Sequence, residues 1–245
     1  MTETLSLRAK IEQSPMGAYQ WMIVVMAAIM NLLDGFDVLA LAFTATAIRG
    51  EFGLTGIELG YLLSAGLFGM TAGSLFLAPL ADKIGRRPLL LMAVSLSAIG
   101  MLGSAFISQY QWLGFWRVIT GLGVGGILVG TNVITSEYSS RKWRSFAISV
   151  YAAGFGIGAV LGGMFAVMLQ GEYGWRSVFL AGAILTGLLL VVLFIWLPES
   201  IDFLTSKQPK NAEVRLNLIA KKIGLAGDWK LPAKAEKVKT KLPIS

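Results

Sequence analysis

The sequence has no cysteine and no histidine. The first absence excludes disulfides and thiolate chemistry; the second removes imidazole metal ligands, and with them goes any Ser-His or Cys-His nucleophilic pair. No metal and no cofactor are expected, and the chain does not read as an enzyme. Charge is also scarce: 14% of the 245 residues are Asp, Glu, Lys or Arg, against 55% hydrophobic, and the mean hydropathy is +0.68. A soluble domain carries about 25% charged residues, so the composition is that of a membrane protein. Ten-residue segments of alternating apolar and polar character are missing too, which argues against a transmembrane barrel.

What is present is a succession of six apolar runs, each near the roughly 20 residues that cross a bilayer. The expected spans are Tyr19 to Thr46, Ile57 to Ala81, Pro88 to Ile107, Trp112 to Ser136, Phe146 to Gln170 and Ser177 to Leu197. Short connections make neighbouring helices antiparallel. This divides the chain into an N-terminal tail (1–15), a six-helix bundle (16–200) and a lysine-rich segment (201–245). Leu5, Leu7 and Ile11 give the tail a weak amphipathic pattern suited to a membrane surface. Val214, Leu218 and Ile219 allow a short surface helix within 213–222, and 231–245 reads as disordered. The first run is too long for a cleaved signal peptide and carries internal acids, so it reads as a permanent span.

The net charge of +7 raises the question of nucleic acid, which the distribution of basic residues answers in the negative. Arg8, Lys10, Lys83, Arg86, Arg87, Arg141, Lys142, Arg144 and every lysine and arginine after Leu197 fall on one side of the expected spans. Only Arg49 and Arg176 fall on the other, and Arg117 lies within a span. The positive-inside rule then puts both termini in the cytoplasm of a multi-pass inner-membrane protein.

Inside the first run lie Asn31, Asp34 and Asp37, three residues apart and so on one helical face. An ionised carboxylate in the bilayer costs roughly 3 kcal/mol on insertion scales, so that face must look into protein or a polar cavity. Arg117 is the natural counter-ion: helical rise sets it roughly 9 Å, and Asp37 roughly 14 Å, below the outer ends of their spans. Two acids against one base leave a carboxylate suited to carrying a proton. The plainer alternative is a pair that only holds span one against span four. Small residues recur every fourth position, at Gly69 and Gly73, Gly121 and Gly125, and Gly154, Gly158 and Gly162, as in close helix packing in lipid.

Several stretches carry a family resemblance. The run Ala78-Pro79-Leu80-Ala81-Asp82-Lys83-Ile84-Gly85-Arg86-Arg87 resembles the loop signature of the major facilitator superfamily, with Ala78 where the family usually has glycine. Arg117-x-x-x-Gly121-x-Gly123 resembles its fourth-helix motif, and Glu137 with Arg141 and Arg144 its following charged loop. Gly174-Trp175-Arg176 and Pro198-Glu199-Ser200 are similar to the flanks of its sixth helix. Asp34-Gly35-Phe36-Asp37 further resembles the aromatic acid:proton symporters. In span five, Ala159 stands where antiporters of the superfamily usually have proline, which favours import over efflux.

The resemblance implies an all-α membrane fold of six transmembrane helices in a 3+3 inverted repeat, the N-terminal bundle of a twelve-helix transporter whose C-terminal half is absent from this chain. It implies proton-coupled uptake of a benzoate-, hydroxybenzoate- or phenylpropionate-like acid by alternating access. Partners would be that acid, the proton, lipid and the missing half. Coupling would rest on Asp34, Asp37, Arg117 and Asn31, and a cytoplasmic gate on Asp82, Gly85, Arg86, Arg87, Glu137 and Arg144. Phe36, Phe43, Tyr61, Phe68, Trp116, Tyr151 and Phe155 are ring candidates for stacking, and Asn132 is a second span amide in need of partners. Competing readings are a facilitator importing sugars or other organic anions, and a truncated six-helix membrane subunit that does not transport.

Overall fold

A computed structural model describes residues 6–231, which form nine helices and no strand. A short α1 (Leu7–Gln13) precedes the six long helices α2 (Ala18–Phe52), α3 (Gly56–Ile84), α4 (Arg86–Ala105), α5 (Tyr110–Tyr138), α6 (Arg144–Tyr173) and α7 (Trp175–Trp196). Then come α8 (Ile201–Lys207) and α9 (Ala212–Lys222). Helices α2 to α7 are each long and apolar enough to cross a membrane. Local chemistry explains the tight reversals between them. Gly53 ends α2 in a left-handed conformation at φ +64°, and Thr55 starts α3 with a capping box: its hydroxyl accepts from Glu58 N–H while the Glu58 carboxylate accepts from Thr55 N–H.

The two three-helix repeats interlock. The first helix of each packs most extensively on the second helix of the other, α2 on α6 and α5 on α3, while α4 and α7 close the bundle. Glycine makes these approaches possible. A Cβ at Gly158 would overlap the Leu32 carbonyl, and one at Gly35 would overlap the Phe155 carbonyl. Gly69 meets Val118 and Gly121 meets Gly66 in the same way across α3 and α5. The four-residue glycine spacing is thus a helix-packing device. Buried apolar side chains form one cluster at each end. Phe36, Leu41, Met101, Trp175 and Phe179 sit at one; Met30, Leu90, Ile134, Tyr138 and Leu193 sit at the other, near Arg86 and Arg144, hereafter the basic end.

Two expectations about the flanking segments need correction. The amphipathic face of α1 does not lie open to a membrane surface: Leu7 and Ile11 are buried in the basic-end cluster. In α9 the buried face is Ala212, Leu216, Ile219 and Ala220, while Val214 and Leu218 are more than half exposed. Of the three expected apolar positions only Ile219 lies on the buried face, because three apolar positions within six residues fit more than one helical face. Helix α8 was not anticipated. The expected disorder of 231–245 lies, except for Leu231, outside the described residues.

Candidate functional site

The polar face of α2 is buried between α5 and α6: Asn31, Asp34 and Asp37 are each no more than 3% exposed, as is Arg117 on α5. Arg117 Nη2 donates to Asp37 Oδ1 at 2.5 Å and its Nη1 to the Asp37 carbonyl at 3.2 Å. The guanidinium carbon lies 5.4 Å from the Phe179 ring centre, a cation–π contact that covers the face turned to α7. Beside this pair is a cavity of about 30 Å³ lined by Asp37, Leu62, Gly66, Met70, Arg117 and Gly121. It has room for about two waters and none for an aromatic ring. Asp34 stands one turn before Asp37 and is not part of the pair; its Oδ2 has no hydrogen-bond partner among the described residues. Asn31 Nδ2 donates to the Tyr151 carbonyl at 2.9 Å, which ties α2 to α6.

The residues expected to form a cytoplasmic gate meet partners that local spacing could not reveal. Asp82 pairs with Arg86 at 2.6 Å within one turn. Glu199, from the turn after α7, caps α4 by accepting from the N–H groups of Arg86 at 2.7 Å and Arg87 at 3.0 Å. It fits against Gly85, whose φ of +105° and missing Cβ leave space for the carboxylate. Arg87 donates to the Phe194 carbonyl. Glu137 does not pair with Arg141 or Arg144. It accepts instead from the Ser200 hydroxyl at 2.8 Å and Ile201 N–H at 2.9 Å, at the start of α8. Arg144 pairs with Glu12 at 2.6 Å, and Arg8 pairs with Asp202. Apart from the direct Asp82–Arg86 pair, these residues meet through others: Gly85, Arg86 and Arg87 through Glu199, Arg144 through Glu12, and Glu137 through the start of α8 at Ser200 to Asp202. Arg144 holds the Glu12 carboxyl below the usual range, with Arg8 and Arg141 adding to the effect.

Sequence reasoning missed Glu12 and Asp202, placed Glu199 only within the Pro198-Glu199-Ser200 stretch, and missed Glu51 at the opposite end, which accepts from Trp175 Nε1 at 2.6 Å and pairs with Arg176 at 2.7 Å. Of the ring candidates, Tyr151 is buried beside Asn31 and Phe36 is buried near Gly162 and Gly182. Phe43, Trp116 and Phe155 are partly buried, while Tyr61 and Phe68 are exposed on α3. Asn132 is exposed, on a surface it shares with Arg8, Glu137 and Asp202.

The model of the Major Facilitator Superfamily matches residues 27–235. The chain belongs to that superfamily. It is 36% identical over 204 residues to a gallate transporter of Pseudomonas putida, covering 83% of this chain and 45% of the relative. A 4-hydroxybenzoate transporter of Pseudomonas putida is 34% identical, covering 88% and 48%. A 3-(3-hydroxy-phenyl)propionate transporter of Escherichia coli is 32% identical, covering 74% and 44%. Among solved structures, the proton:xylose symporter XylE bound to 6-bromo-6-deoxy-D-glucose superposes with a TM-score of 0.75 at 22% identity, over 86% of this chain and 50% of that one. The facilitator chain thus spans about half the length of the curated relatives it matches. Its all-α fold of six membrane-length helices is the N-terminal half of the superfamily architecture, a multi-pass transporter fold and not an enzyme.

Proposed function

We propose that this facilitator chain is the N-terminal half of a proton-coupled carrier that imports an aromatic carboxylate across a bacterial inner membrane, with both termini of the half in the cytoplasm. The observation that carries the reading is the buried arrangement of two acids and one base, in which Asp37 holds Arg117 and Asp34 Oδ2 is left without a partner among the described residues. The names of the relatives, transporters of gallate, 4-hydroxybenzoate and hydroxyphenylpropionate, support the substrate class. The crowding of lysine and arginine at the basic end supports the orientation.

In this mechanism a proton taken up by the two acids leaves Arg117 opposed by one carboxylate instead of two. A substrate carboxylate then competes for the guanidinium, so anion and proton bind together. The cavity beside the pair is too small for the ring, so the aromatic part of the substrate rests against a second six-helix bundle, which completes the midplane site. Asp82, Gly85, Arg86, Arg87, Glu137 and Arg144, with Glu12, Glu199 and Asp202, hold the basic end closed while the other end is open. The test is uptake of labelled 4-hydroxybenzoate into vesicles containing the full-length protein under an inward proton gradient. Accumulation is expected in the wild type and not in Asp34→Asn or Asp37→Asn; if both variants accumulate substrate as the wild type does, the mechanism is wrong.

A further inference from the structure

Hydrogen-bond accounting around α2 separates the roles of the two acids. Asn31 and Asp34 are one helical turn apart on the same face, a spacing that puts their side chains side by side. Each is at least 97% buried, and each has an acceptor oxygen without a donor: Asn31 Oδ1 and Asp34 Oδ2. The orientation of the Asn31 amide is settled chemically. Its nitrogen faces the carbonyls of Tyr151 and Ala152 at 2.9 and 3.5 Å, and a carbonyl accepts but does not donate, so Nδ2 must be on that side and Oδ1 must face away.

The neighbours do not supply the missing donor. Among the described residues no donor reaches Asn31 Oδ1 or Asp34 Oδ2. The Thr131 hydroxyl, on the facing α5, gives its hydrogen to the Ile127 carbonyl at 2.6 Å. Both Nη groups of Arg117 are turned to Asp37, and its buried Nε has no partner among the described residues and so does not donate to Asp34. The charged and titratable groups around Asp34 are then Asp37 on its own helix, Arg117 on α5 and Tyr151 on α6. Two buried acceptors side by side are costly unless something between them donates. A single proton on the carboxyl does this, because the acid O–H donates to the amide oxygen and satisfies both atoms at once.

We propose that Asp34 is the acid that carries the proton, and that Asn31 is a positioning residue whose Oδ1 accepts the hydrogen bond from the protonated Asp34 carboxyl. Asp37 stays ionised against Arg117. The proposal rests on the proton-coupled reading for its role in transport, but the protonation itself is measurable without transport. Loading transfers one proton from bulk water to Asp34 and neutralises one charge; release returns it, leaving the Asp34 carboxylate to compete with Asp37 for Arg117.

The experiment is infrared difference spectroscopy of the full-length protein in lipid at neutral pH, together with the pH profile of 4-hydroxybenzoate uptake. A carboxylic acid C=O band is expected in the wild type, retained in Asp37→Asn and lost in Asp34→Asn. In Asn31→Leu the band should move to higher frequency as its hydrogen bond is lost, and the midpoint of uptake should move about half to one pH unit to the acid side, the effect of one neutral hydrogen bond on the protonated form. A purely structural role for Asn31 would lower the amount of folded protein without moving that midpoint. The proposal is overturned if only carboxylate bands appear, if the band is lost in Asp37→Asn and kept in Asp34→Asn, or if sodium replaces the proton in driving uptake. Uptake indifferent to the proton gradient, with the Asp34 band intact, overturns the coupling reading and leaves the protonation standing.

Discussion

Replacing Arg117 by methionine removes the positive charge while keeping much of the side-chain volume, and leaves Asp37 buried without a counter-ion. The partners are 4% and 3% exposed and meet at 2.5 Å, so solvent screens almost none of the interaction. Breaking a buried pair by deleting one partner costs about 3–5 kcal/mol. At about 1.4 kcal/mol per tenfold, this corresponds to roughly two to four orders of magnitude in the folded fraction. The double variant Asp37→Asn with Arg117→Met removes both charges and escapes most of that loss, so the two single losses exceed the double loss by about 1.5–3 kcal/mol. Reversible unfolding of the full-length protein in mixed micelles, followed by far-UV circular dichroism, measures all three variants. If Arg117→Met costs less than about 1 kcal/mol, or if the single losses simply add, then Asp37 and Arg117 are not an obligate buried pair and the site has been misread.

Further outcomes follow from the packing and the basic end. Gly158→Val, whose Cβ would strike the Leu32 carbonyl, should sharply lower the melting temperature, whereas Gly156→Val, with nothing within 4 Å of its Cβ, should leave it nearly unchanged. Glu199→Ala removes the cap shared by the Arg86 and Arg87 N–H groups and should cost about 1–2 kcal/mol, read by hydrogen exchange at the start of α4. Glu12, whose carboxyl is held below its usual value of 4.5, helps dock α1 above that pH, and the contribution is lost as pH falls through its lower folded value. With both partners about one-third exposed, the effect is under about 1 kcal/mol. Exchange protection of α1 should therefore fall in acid in the wild type and be lower and flat with pH in Glu12→Gln.

Apolar run length made the six long helices legible, because a helix facing lipid needs apolar residues along its whole length. That Arg117 meets an acid of the first span was legible for a related reason, since charges in lipid must find each other and few candidates existed, but the choice of Asp37 over Asp34 was not. The basic end obeys no such economy. Glu12, Glu199 and Asp202 sit among many polar residues, and their partners lie up to 194 positions away in the chain, as Arg8 and Asp202 do. No helical periodicity encodes those meetings. The same holds for α9, where Leu216 was hidden among several apolar positions that fit alternative faces. The different surroundings of Asp34 and Asp37 were equally invisible, since they depend on which side chains of α5 and α6 turn towards each.

The central claim is that one proton enters with each aromatic anion by way of Asp34. Its most direct test is to count protons and labelled 4-hydroxybenzoate entering the same proteoliposomes, using a trapped pH-sensitive dye and the full-length wild type beside Asp34→Asn. The account predicts one proton per anion in the wild type, and in Asp34→Asn binding of the anion without proton entry or uphill accumulation. An unchanged proton-to-anion ratio in Asp34→Asn would contradict it.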